Sequence, residues 1–279
     1  MIPRLALFTL LSLTVSVDSL AADSKPKSNK EIAIHAMMEM IGYRDMTAID
    51  RYFAEPYIQH RTDVPDGLKA LKEFQLAMLT PRPNFNTNIY RGIEDGDFVM
   101  LHSVYEGSPR ANGAPLAAFD LFRFKNGRIV EHWDVLNVQG ERNQAGHSTV
   151  DGPAAVADLQ KTEANRAVVT KFVDAIFAKG QVDRAGEFID DKRYFEHALM
   201  GSDGVEAFKT KTKGNPKVGY KVHRIVAEGN FVGVEAEGSG GTQIHYDMYR
   251  LQGGKIVEHW DVQNTVPPRS GWKNDHGPF

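Results

Sequence analysis

Two identical strings, IVEHWD, place a histidine two residues before an aspartate, at Ile129–Asp134 and again at Ile256–Asp261 of the 279-residue chain. Because side chains alternate between the two faces of a β-strand, His132 and Asp134 share one face if this segment is extended. An imidazole can exchange a proton with a neighbouring carboxylate, and burial raises the pKa of a carboxyl group. In a cavity, such a pair could therefore act as a general base.

Two interpretations of the pair are open. In the first, His132 and Asp134 form a satisfied polar pair at the surface or beside a core, which is the commoner arrangement. In the second, the shared face lines a cavity. The second string presents His259 and Asp261 in the same way, but a duplication preserves structural residues as readily as functional ones.

Other polar side chains recur at matching positions of the chain. Asp120 shares a strand face with Phe122, although Asp is depleted in strands, and its counterpart in the second copy is Asp247. His102 lies in the string FVMLHSV, where the second copy has Glu235. These positions are candidates for the same site as the His/Asp pair.

The string YIQH adds Tyr57, Gln59 and His60 to the candidates. The second copy reads YFEH, with Glu196 in place of the glutamine and His197 in place of the histidine. A lone histidine in a loop is usually without function, but its recurrence in both copies makes this one a candidate.

These strings are parts of one unit written twice. Residues 119–137 align without gaps to residues 246–264, and nine of the eleven positions from Gly127 onward are identical. The correspondence extends upstream, where residues 57–72 align to 194–209 and residues 96–107 align to 229–238. Such a repeat of about 120 residues indicates duplication of a complete domain rather than a solenoid.

The elements that must position the candidates follow from spacing. Apolar residues at i, i+3, i+4 and i+7 predict a helix with one buried face in each copy, beginning near Ile34 and near Val169. A short helix follows each Asp-Gly pair. The last two strands of each copy form a hairpin around KNG or QGG, which suit a tight turn.

Trp133 and Trp260 lie on the strand face opposite the His/Asp pair. That face is apolar except for Glu131 and Glu258. It either packs within its own domain or joins the two sheets, and we favour the second interpretation, an internal pseudo-dimer. Residues 139–165 are polar and rich in Gly and Ala, and this segment holds the predicted boundary between a first domain, 22–145, and a second, 146–279.

The N-terminus predicts export. Arg4 precedes an apolar run, Leu5–Val17, and small residues follow near position 21, which is typical of a secretory signal peptide spanning residues 1–21. The chain has no cysteine, so it has neither a disulfide nor a thiol for lipid attachment. We expect a protein secreted across the inner membrane of a bacterium, periplasmic and not membrane-bound after cleavage.

Charge and motifs exclude several classes of function. The formal net charge is −3 and there is no long basic run, so nucleic-acid binding is not expected. No phosphate-binding glycine loop, nucleophile elbow or HExxH string occurs. The candidate histidines and aspartates match no metal-binding spacing, so we predict neither a metal nor a cofactor.

Taken together, the amphipathic helix, the YIQH segment leading to Asp-Gly, and the closing FRFKNGRIVEHWDV resemble the SnoaL-like branch of the NTF2-like superfamily, including its predicted aldol-condensation enzymes. The resemblance implies an α+β protein of two tandem cone-shaped domains. In each, a curved, mostly antiparallel sheet wraps around helices and encloses a pocket. Relatives that are polyketide cyclases, isomerases, dehydratases and epoxide hydrolases place an Asp or His in that pocket for proton transfer.

By motif position, the resemblance makes Asp134 the general base of the first domain. The candidate catalytic residues are thus Asp134, His132, His60, His102 and Asp120, and the candidate substrate-binding residues are Tyr57, Gln59, His197, Asp247, His259 and Asp261. In this chain Arg61 follows the YIQH histidine where the subgroup has Asn, and the second copy departs further. We therefore expect the first pocket to be the active one.

The sequence is compatible with three functions. The first is a cofactor-independent enzyme that acts on a small, largely apolar carbonyl compound or epoxide, with His60 and His102 holding the developing oxyanion. The second is a non-catalytic periplasmic module that binds a small hydrophobic ligand. The third is an interaction scaffold, in which duplication supplies a built-in dimer that could also form homo-oligomers.

Overall fold

The computed structural model describes residues 28–108, 111–214 and 219–279. The predicted signal peptide lies outside these residues. The described helices are α1 (Asn29–Met37), α2 (Thr47–Tyr52), α3 (Leu68–Leu79), α4 (Thr162–Val173) and α5 (Val205–Gly214), with single π-helical turns continuing α1 through Met38–Gly42 and α4 through Asp174–Ala178.

Ten described strands form two five-stranded sheets of the same plan. The strands are β1 (Phe53–Gln59), β2 (Asn86–Asp95), β3 (Phe98–Glu106), β4 (Leu116–Lys125), β5 (Arg128–Val138), β6 (Phe195–Glu196), β7 (Lys221–Glu228), β8 (Phe231–Glu237), β9 (Gln243–Gln252) and β10 (Lys255–Thr265).

The strand orders are β1-β5-β4-β3-β2 and β6-β10-β9-β8-β7. In each sheet only the first pair is parallel, and the other pairs are antiparallel. The expectation of an α+β protein with two mostly antiparallel sheets, each preceded by helices, is confirmed.

The first helix of each domain packs its apolar face on its own sheet. A capping box starts α1, because the Ser28 hydroxyl accepts from the Glu31 N–H while the Glu31 carboxylate accepts from the Ser28 N–H. The predicted buried stripe is shifted slightly, since Met38 is exposed and Met40 is buried instead. In α4 and its π-helical extension the predicted residues, beginning at Val169, are all buried.

The predicted hairpins position the candidate strands. Asn126 and Gly127 between β4 and β5 both have positive φ, 53° and 71°, as a type I′ turn requires. Gly253 and Gly254 make the matching turn between β9 and β10, with φ of 60° and 77°. The turns fix the register in which Asp120 pairs with Asp134.

The two sheets pack against each other through their tryptophan faces. Trp133 and Trp260 are fully buried in one apolar cluster that draws on both domains. The contact is reciprocal, because the guanidinium of Arg224 lies 4.0 Å from the Trp133 ring centre and that of Arg91 lies 4.2 Å from the Trp260 ring centre. The domains therefore pack as an internal pseudo-dimer.

Each domain also sends a segment onto the other domain. Residues 139–158, which we name the linker arm, leave β5 and contact the second domain. Residues 266–279, the tail arm, leave β10 and contact the first domain. The positions at which one predicted domain ends and the next begins stay a prediction.

The contacts of the two arms are equivalent. Through its side-chain NH2, Asn143 of the linker arm donates to the backbone carbonyls of residues 196 and 198. Asn274 of the tail arm donates in the same way to the carbonyls of residues 61 and 64. A histidine then reaches an aspartate in both arms, His147 to Asp203 at 3.1 Å and His276 to Asp66 at 2.9 Å.

Within the described ranges, no helix has both the length and the apolar character that a membrane span requires.

Candidate functional site

A cavity opens in the first domain between its helices and the inner face of its sheet. It encloses about 690 Å³ of empty space, its mouth included. Its wall combines apolar residues with polar and charged ones, and the polar and charged ones come from β1, α3, β3, β4, β5 and the segments after β1 and β3. These polar residues are Tyr57, Gln59, Arg61, Gln75, Tyr105, Ser108, Asp120, His132 and Asp134.

Asp120 is the most deeply buried acid of the cavity, at 1% exposure. The hydroxyl of Tyr105 lies 3.0 Å from both carboxylate oxygens, and the Ser103 hydroxyl donates at 3.2 Å. His132 Nε2 lies 3.2 Å from Asp120 Oδ1. These neighbours compensate the desolvation of the carboxylate and hold it in one orientation.

His132 is fixed on both ring nitrogens. Its Nδ1 lies 3.2 Å from Gln59 Oε1, which also accepts from the Arg61 backbone N–H at 3.0 Å. Because that amide oxygen only accepts, Nδ1 carries a proton. The ring stacks on Phe122, with centres 4.8 Å apart.

Asp134 forms an ion pair inside the cavity. Its Oδ2 lies 2.5 Å from Arg61 Nη1, and both side chains are about one-tenth exposed. Burial lowers the pKa of the Arg61 guanidinium, but Asp134 and Asp63 outweigh that effect and hold the pKa above its ordinary value. The guanidinium also lies over the ring of Phe74, 5.2 Å from its centre. Arg61 is therefore a fixed cation in the cavity wall.

Tyr57 completes the polar part of the wall. Its hydroxyl oxygen accepts from Gln59 Nε2 at 3.2 Å. Burial, reinforced by the charges of Asp134 and Asp120, raises the pKa of Tyr57 well above its ordinary value. The phenol therefore keeps its proton and can donate it in a hydrogen bond to an oxygen in the cavity.

The second domain holds a smaller cavity, about 370 Å³ with its open mouth included, that has a different charge pattern. His259 lies between two carboxylates, with Nδ1 2.9 Å from Glu196 and Nε2 2.9 Å from Asp247. Burial lowers the pKa of His259, but Glu196 and Asp247 outweigh it and raise the pKa to about 9. Burial raises the pKa of Glu196, but His259 outweighs it and lowers the pKa to about 2.

Two tyrosines donate further hydrogen bonds to the carboxylates of the second site. Tyr194 donates to Glu196 at 2.8 Å, and Tyr220 donates to Asp247. Asp261 and Lys211 line the cavity, and Ala198 occupies the position that Arg61 has in the first domain. His259 is thus a clamped imidazolium ion, whereas His132 faces a neutral amide on one side.

The structure brings Tyr57, Gln59, Asp120, His132 and Asp134 together around the first cavity. In the second domain it joins Asp247, His259 and Asp261, of which His259 and Asp261 line the cavity. Three predicted histidines lie elsewhere, and the alternation of strand faces explains each one.

The placement of His60 in the cavity is wrong. Since Tyr57 and Gln59 face the cavity, the next residue faces the other side of β1. There the His60 ring stacks on Trp133 at 4.4 Å, and its nitrogens lie 2.8 Å from Glu131 and from the carbonyl of Gly277. His60 belongs to the contact between the domains and cannot reach an oxyanion in the cavity.

The predicted placements of His102 and His197 in the cavities are wrong for the same reason. Ser103 lies on the cavity side of β3, so His102 lies on the interface side, where Nδ1 is 2.7 Å from Arg91 Nη1. Burial, together with the charge of Arg91, lowers the pKa of His102 well below its ordinary value. His197 stacks on Trp260 at 4.7 Å in the equivalent of the His60 position, and does not line the second cavity.

The sequence did not predict four polar residues that line the cavity, Arg61, Gln75, Tyr105 and Ser108, nor Ser103, which donates to Asp120. In the sequence, Arg61 was notable only because the SnoaL-like subgroup has Asn at this position. Leu101 is the register partner of Asp120 across β3 and β4. Leu101, Ser103 and Tyr105 therefore share the Asp120 face, but only the observed pairing reveals this.

Asp120, His132 and Asp134 also offer three donor atoms that lie within 4.8 Å of one another, as a metal site would need. A cation there would have to displace the Arg61 guanidinium from Asp134 and the hydroxyl groups from Asp120. The positive charge of Arg61 opposes such binding. The contacts of these residues suit proton transfer and hydrogen bonding better than ligation.

Comparisons with known proteins agree with the duplicated architecture. The SnoaL-like polyketide cyclase family matches residues 31–145, and a SnoaL-like domain family matches residues 169–259. A search of curated proteins finds no match.

Several solved structures are similar to one domain's length of the chain. An NTF2-like protein of unknown function from Cytophaga hutchinsonii is 14% identical over 41% of this chain and 94% of its own, with a TM-score of 0.33. TsrD from Streptomyces laurentii is 12% identical over 40% and 90%, with a TM-score of 0.35. A proposed SnoaL-like polyketide cyclase from Jannaschia sp. CCS1 is 15% identical over 40% and 91%, with a TM-score of 0.35. On the strength of the two family matches, the chain belongs to the SnoaL-like family and carries two SnoaL-like domains in tandem.

Proposed function

We propose that the cavity of the first domain binds a small, largely apolar carbonyl compound or epoxide and carries acid–base chemistry on it, of the cyclase, isomerase, dehydratase or hydrolase type. The family supports small-molecule cyclase-type chemistry. The observation that carries the proposal is that three ionisable side chains, Asp120, His132 and Asp134, meet on the sheet side of a cavity that also has many apolar lining residues.

In this mechanism Asp134 is the general base. The Arg61 guanidinium, with Nη1 2.5 Å from Asp134 Oδ2, holds this carboxylate in one orientation in the cavity wall. Asp134 accepts a proton from the carbon next to the substrate carbonyl. The negative charge that develops on the carbonyl oxygen is stabilised by hydrogen bonds from the Tyr57 phenol and from Arg61.

His132 and Asp120 supply the returning proton in the same mechanism. A protonated His132 gives its Nε2 proton to the substrate and becomes a neutral imidazole, while the Asp120 carboxylate keeps its charge. Asp134 then releases the proton that it accepted to solvent and His132 takes one up, so both groups return to their starting forms. The amide of Gln59 holds the ring and carries no charge. It therefore does not lock His132 in the protonated form, as Glu196 locks His259.

The test is an Asp134→Asn variant assayed against a panel of β-dicarbonyl compounds, enones and epoxides. We expect turnover of any substrate that the wild-type protein consumes to fall by about 10² to 10⁴, as loss of a general base does. The matched control is Asp261→Asn, the same change in the second cavity, which should leave turnover within about twofold. Unchanged turnover in Asp134→Asn would remove Asp134 from this role.

A second candidate function is non-catalytic binding of a small hydrophobic ligand. The ion pair of Asp134 with Arg61 and the two hydrogen bonds of His132 favour it, because they leave the ionisable groups already satisfied. Recovery of a chemically intact ligand after long incubation, with an affinity that Asp134→Asn does not change, would support binding over catalysis.

We also propose that the chain is exported to the periplasm, on the basis of its N-terminal sequence alone. Expression in a Gram-negative host followed by fractionation should place the protein in the periplasm, with a mature N-terminus near Ala22. Retention in the cytoplasm with Met1 intact would contradict the proposal.

A further inference from the structure

A second cluster of metal-ligating side chains lies outside both cavities, where the linker arm meets the second domain. His147, Asp151 and His197 each offer a donor atom, and these atoms all lie within 4.8 Å of one another. The rings of the two histidines are 4.9 Å apart, centre to centre. The cluster joins residues distant in sequence, because His147 and Asp151 belong to the linker arm and His197 follows β6.

Both histidines have a carboxylate on one nitrogen. Asp203 lies 3.1 Å from Nε2 of His147, and Glu258 lies 3.2 Å from Nε2 of His197. Histidine ligands of metals usually have a carboxylate or carbonyl on the nitrogen that does not bind the metal, since this partner fixes the tautomer and makes the ligand more basic. In both rings Nδ1 is then the nitrogen left for a cation.

The third donor is also held in place. Asp151 Oδ1 lies 2.7 Å from His197 Nδ1, while Oδ2 accepts from the Ser148 N–H at 3.1 Å and from the exposed Arg142 guanidinium at 3.0 Å. Unlike Arg61 in the first cavity, Arg142 is largely in solvent, which screens its charge. The Ser148 hydroxyl accepts in return from the Asp151 N–H at 3.1 Å. The ring of His197 is fixed by stacking on Trp260. Two of the three donors are therefore positioned without a cation.

One side of the cluster is open to solvent. The side chains of His147 and Asp151 are 25% and 34% exposed, whereas that of His197 is 2% exposed. Water could complete the coordination of a bound ion from the open side.

The equivalent contact in the first domain lacks the third donor. His60 and His276 have the corresponding carboxylates, Glu131 and Asp66, but the atom 2.8 Å from His60 Nδ1 is the carbonyl oxygen of Gly277. The backbone of Gly277 has φ of 76°, and a Cβ there would lie 2.7 Å from the Trp272 ring, so no side chain fits. The rings of His60 and His276 are also farther apart, with 5.8 Å between their centres.

We propose that His147, Asp151 and His197 bind a divalent transition-metal ion, with Zn²⁺ the best match to two imidazoles and one carboxylate. Donor atoms on tetrahedral Zn²⁺ are roughly 3.4 Å apart for bonds of about 2.1 Å. The three donors here lie within 4.8 Å of one another, so the partly exposed His147 must move inward to bind the ion. The cation takes the place of the proton between His197 and Asp151. It fastens the linker arm to the second domain and takes no part in the chemistry of the first cavity.

The test uses the full chain without an affinity tag, stripped with EDTA and titrated with Co²⁺ as a spectroscopic probe and with Zn²⁺ as a competitor. We expect one equivalent of Co²⁺ to bind, with visible absorption bands that Zn²⁺ removes, and a rise in the unfolding temperature with Zn²⁺. His147→Ala and Asp151→Asn should each weaken binding tenfold or more, since even outer-shell partners contribute that much.

Two controls make the result specific. His276→Ala removes the equivalent histidine of the tail arm and should leave Co²⁺ binding unchanged. Asp134→Asn tests the three donors of the first cavity and should likewise have no effect. Comparing the unfolding temperatures of His147→Ala and His276→Ala in EDTA separates loss of the metal from loss of a domain contact. Absence of stoichiometric Co²⁺ binding, or binding that His147→Ala does not weaken, would overturn the proposal.

Discussion

The charge around the two cavity histidines differs through one pair of equivalent residues. Gln59 presents an amide oxygen to His132, whereas Glu196 presents a carboxylate to His259. The second histidine is therefore a stable cation between two anions, and its proton is hard to remove. The duplication has left one cavity whose histidine faces a neutral amide and one whose histidine is held as a cation.

The clamped histidine predicts how stability depends on pH. The pKa of His259 is raised to about 9 in the folded protein. Its stabilising contribution is thus complete below its ordinary pKa of 6.5 and is lost as the pH rises through about 9. The pKa of Glu196 is lowered to about 2. Its stabilising contribution is therefore complete above its ordinary pKa of 4.5 and is lost as the pH falls toward 2. The pair stabilises most between these two ordinary values.

The variant Glu196→Gln should flatten that dependence. We expect the free energy of unfolding of the wild-type protein to fall by up to about 3 kcal/mol between pH 6.5 and pH 9.5 because His259 loses its proton. The variant should lose much less over the same range. Urea unfolding at each pH measures both, and Glu187→Gln, an exposed acid of the same domain, should keep the wild-type slope. A steep slope in Glu196→Gln would show that other groups cause the decline.

Much of the candidate site was predictable residue by residue. Asp120, His132 and Asp134 recur on apolar strand faces. Alternation along β5 places His132 beside Asp134, and the tight turn between β4 and β5 sets the register that pairs Asp120 with Asp134. Arg61 was not predictable as a partner of Asp134, because it lies on an irregular segment after β1 whose direction no spacing rule gives. His102 was misplaced because the register between β3 and β4 depends on the loop between them.

At the level of elements, helices and hairpins followed from local sequence. Local sequence determines the conformation of the KNG and QGG turns and of the helices that carry periodic apolar stripes. The two arms did not follow, since their polar, glycine-rich sequences have no periodicity. Their positions depend on hydrogen bonds to the other domain, made by Asn143 and Asn274.

Two glycines of the linker arm allow a test of its close contact. Gly146 and Gly152 both have positive φ, 87° and 93°, so alanine is strained at either position. A Cβ at Gly152 would also lie 2.7 Å from Glu258 Oε1 and 3.0 Å from the Trp260 ring, whereas one at Gly146 has nothing within 4 Å.

We expect Gly146→Ala to lower the free energy of unfolding by about 1–2 kcal/mol, from backbone strain alone. Gly152→Ala should lower it by a further 1–3 kcal/mol or so, because the methyl group forces the arm away from the second domain. Urea unfolding followed by tryptophan fluorescence gives both values. Equal effects of the two substitutions would mean that the arm does not press on the domain as described.

At the scale of the whole molecule, the arms make each domain depend on the other. The tail arm is covalently part of the second domain, yet it holds the segment after β1 in the first, where the Lys273 N–H donates to the Thr62 carbonyl at 2.7 Å. Asn274 holds the carbonyl of Arg61, whose side chain is paired with Asp134 in the cavity. The second domain thus supports the candidate site of the first.

Removal of residues 267–279 should therefore loosen the segment after β1 in the first domain and leave the segment after β6 in the second unchanged. Hydrogen exchange measured by mass spectrometry should show faster exchange in residues 60–66, whose partners are lost. Residues 197–203, held by the intact linker arm, serve as the internal control and should be unchanged. Equal protection of residues 60–66 in both forms would contradict the supporting role of the tail arm.

This exchange of arms has an evolutionary consequence. Had each copy kept its own terminal segment, losing one copy of the duplicated gene would simply have restored an ancestor. In the present chain, a deletion that removed the second half would also strip the first half of the support behind Arg61, even though every side chain of its cavity would still be encoded. The fusion is therefore hard to reverse. The cavity residues of either half can be substituted, but neither half can be deleted without harm to the other.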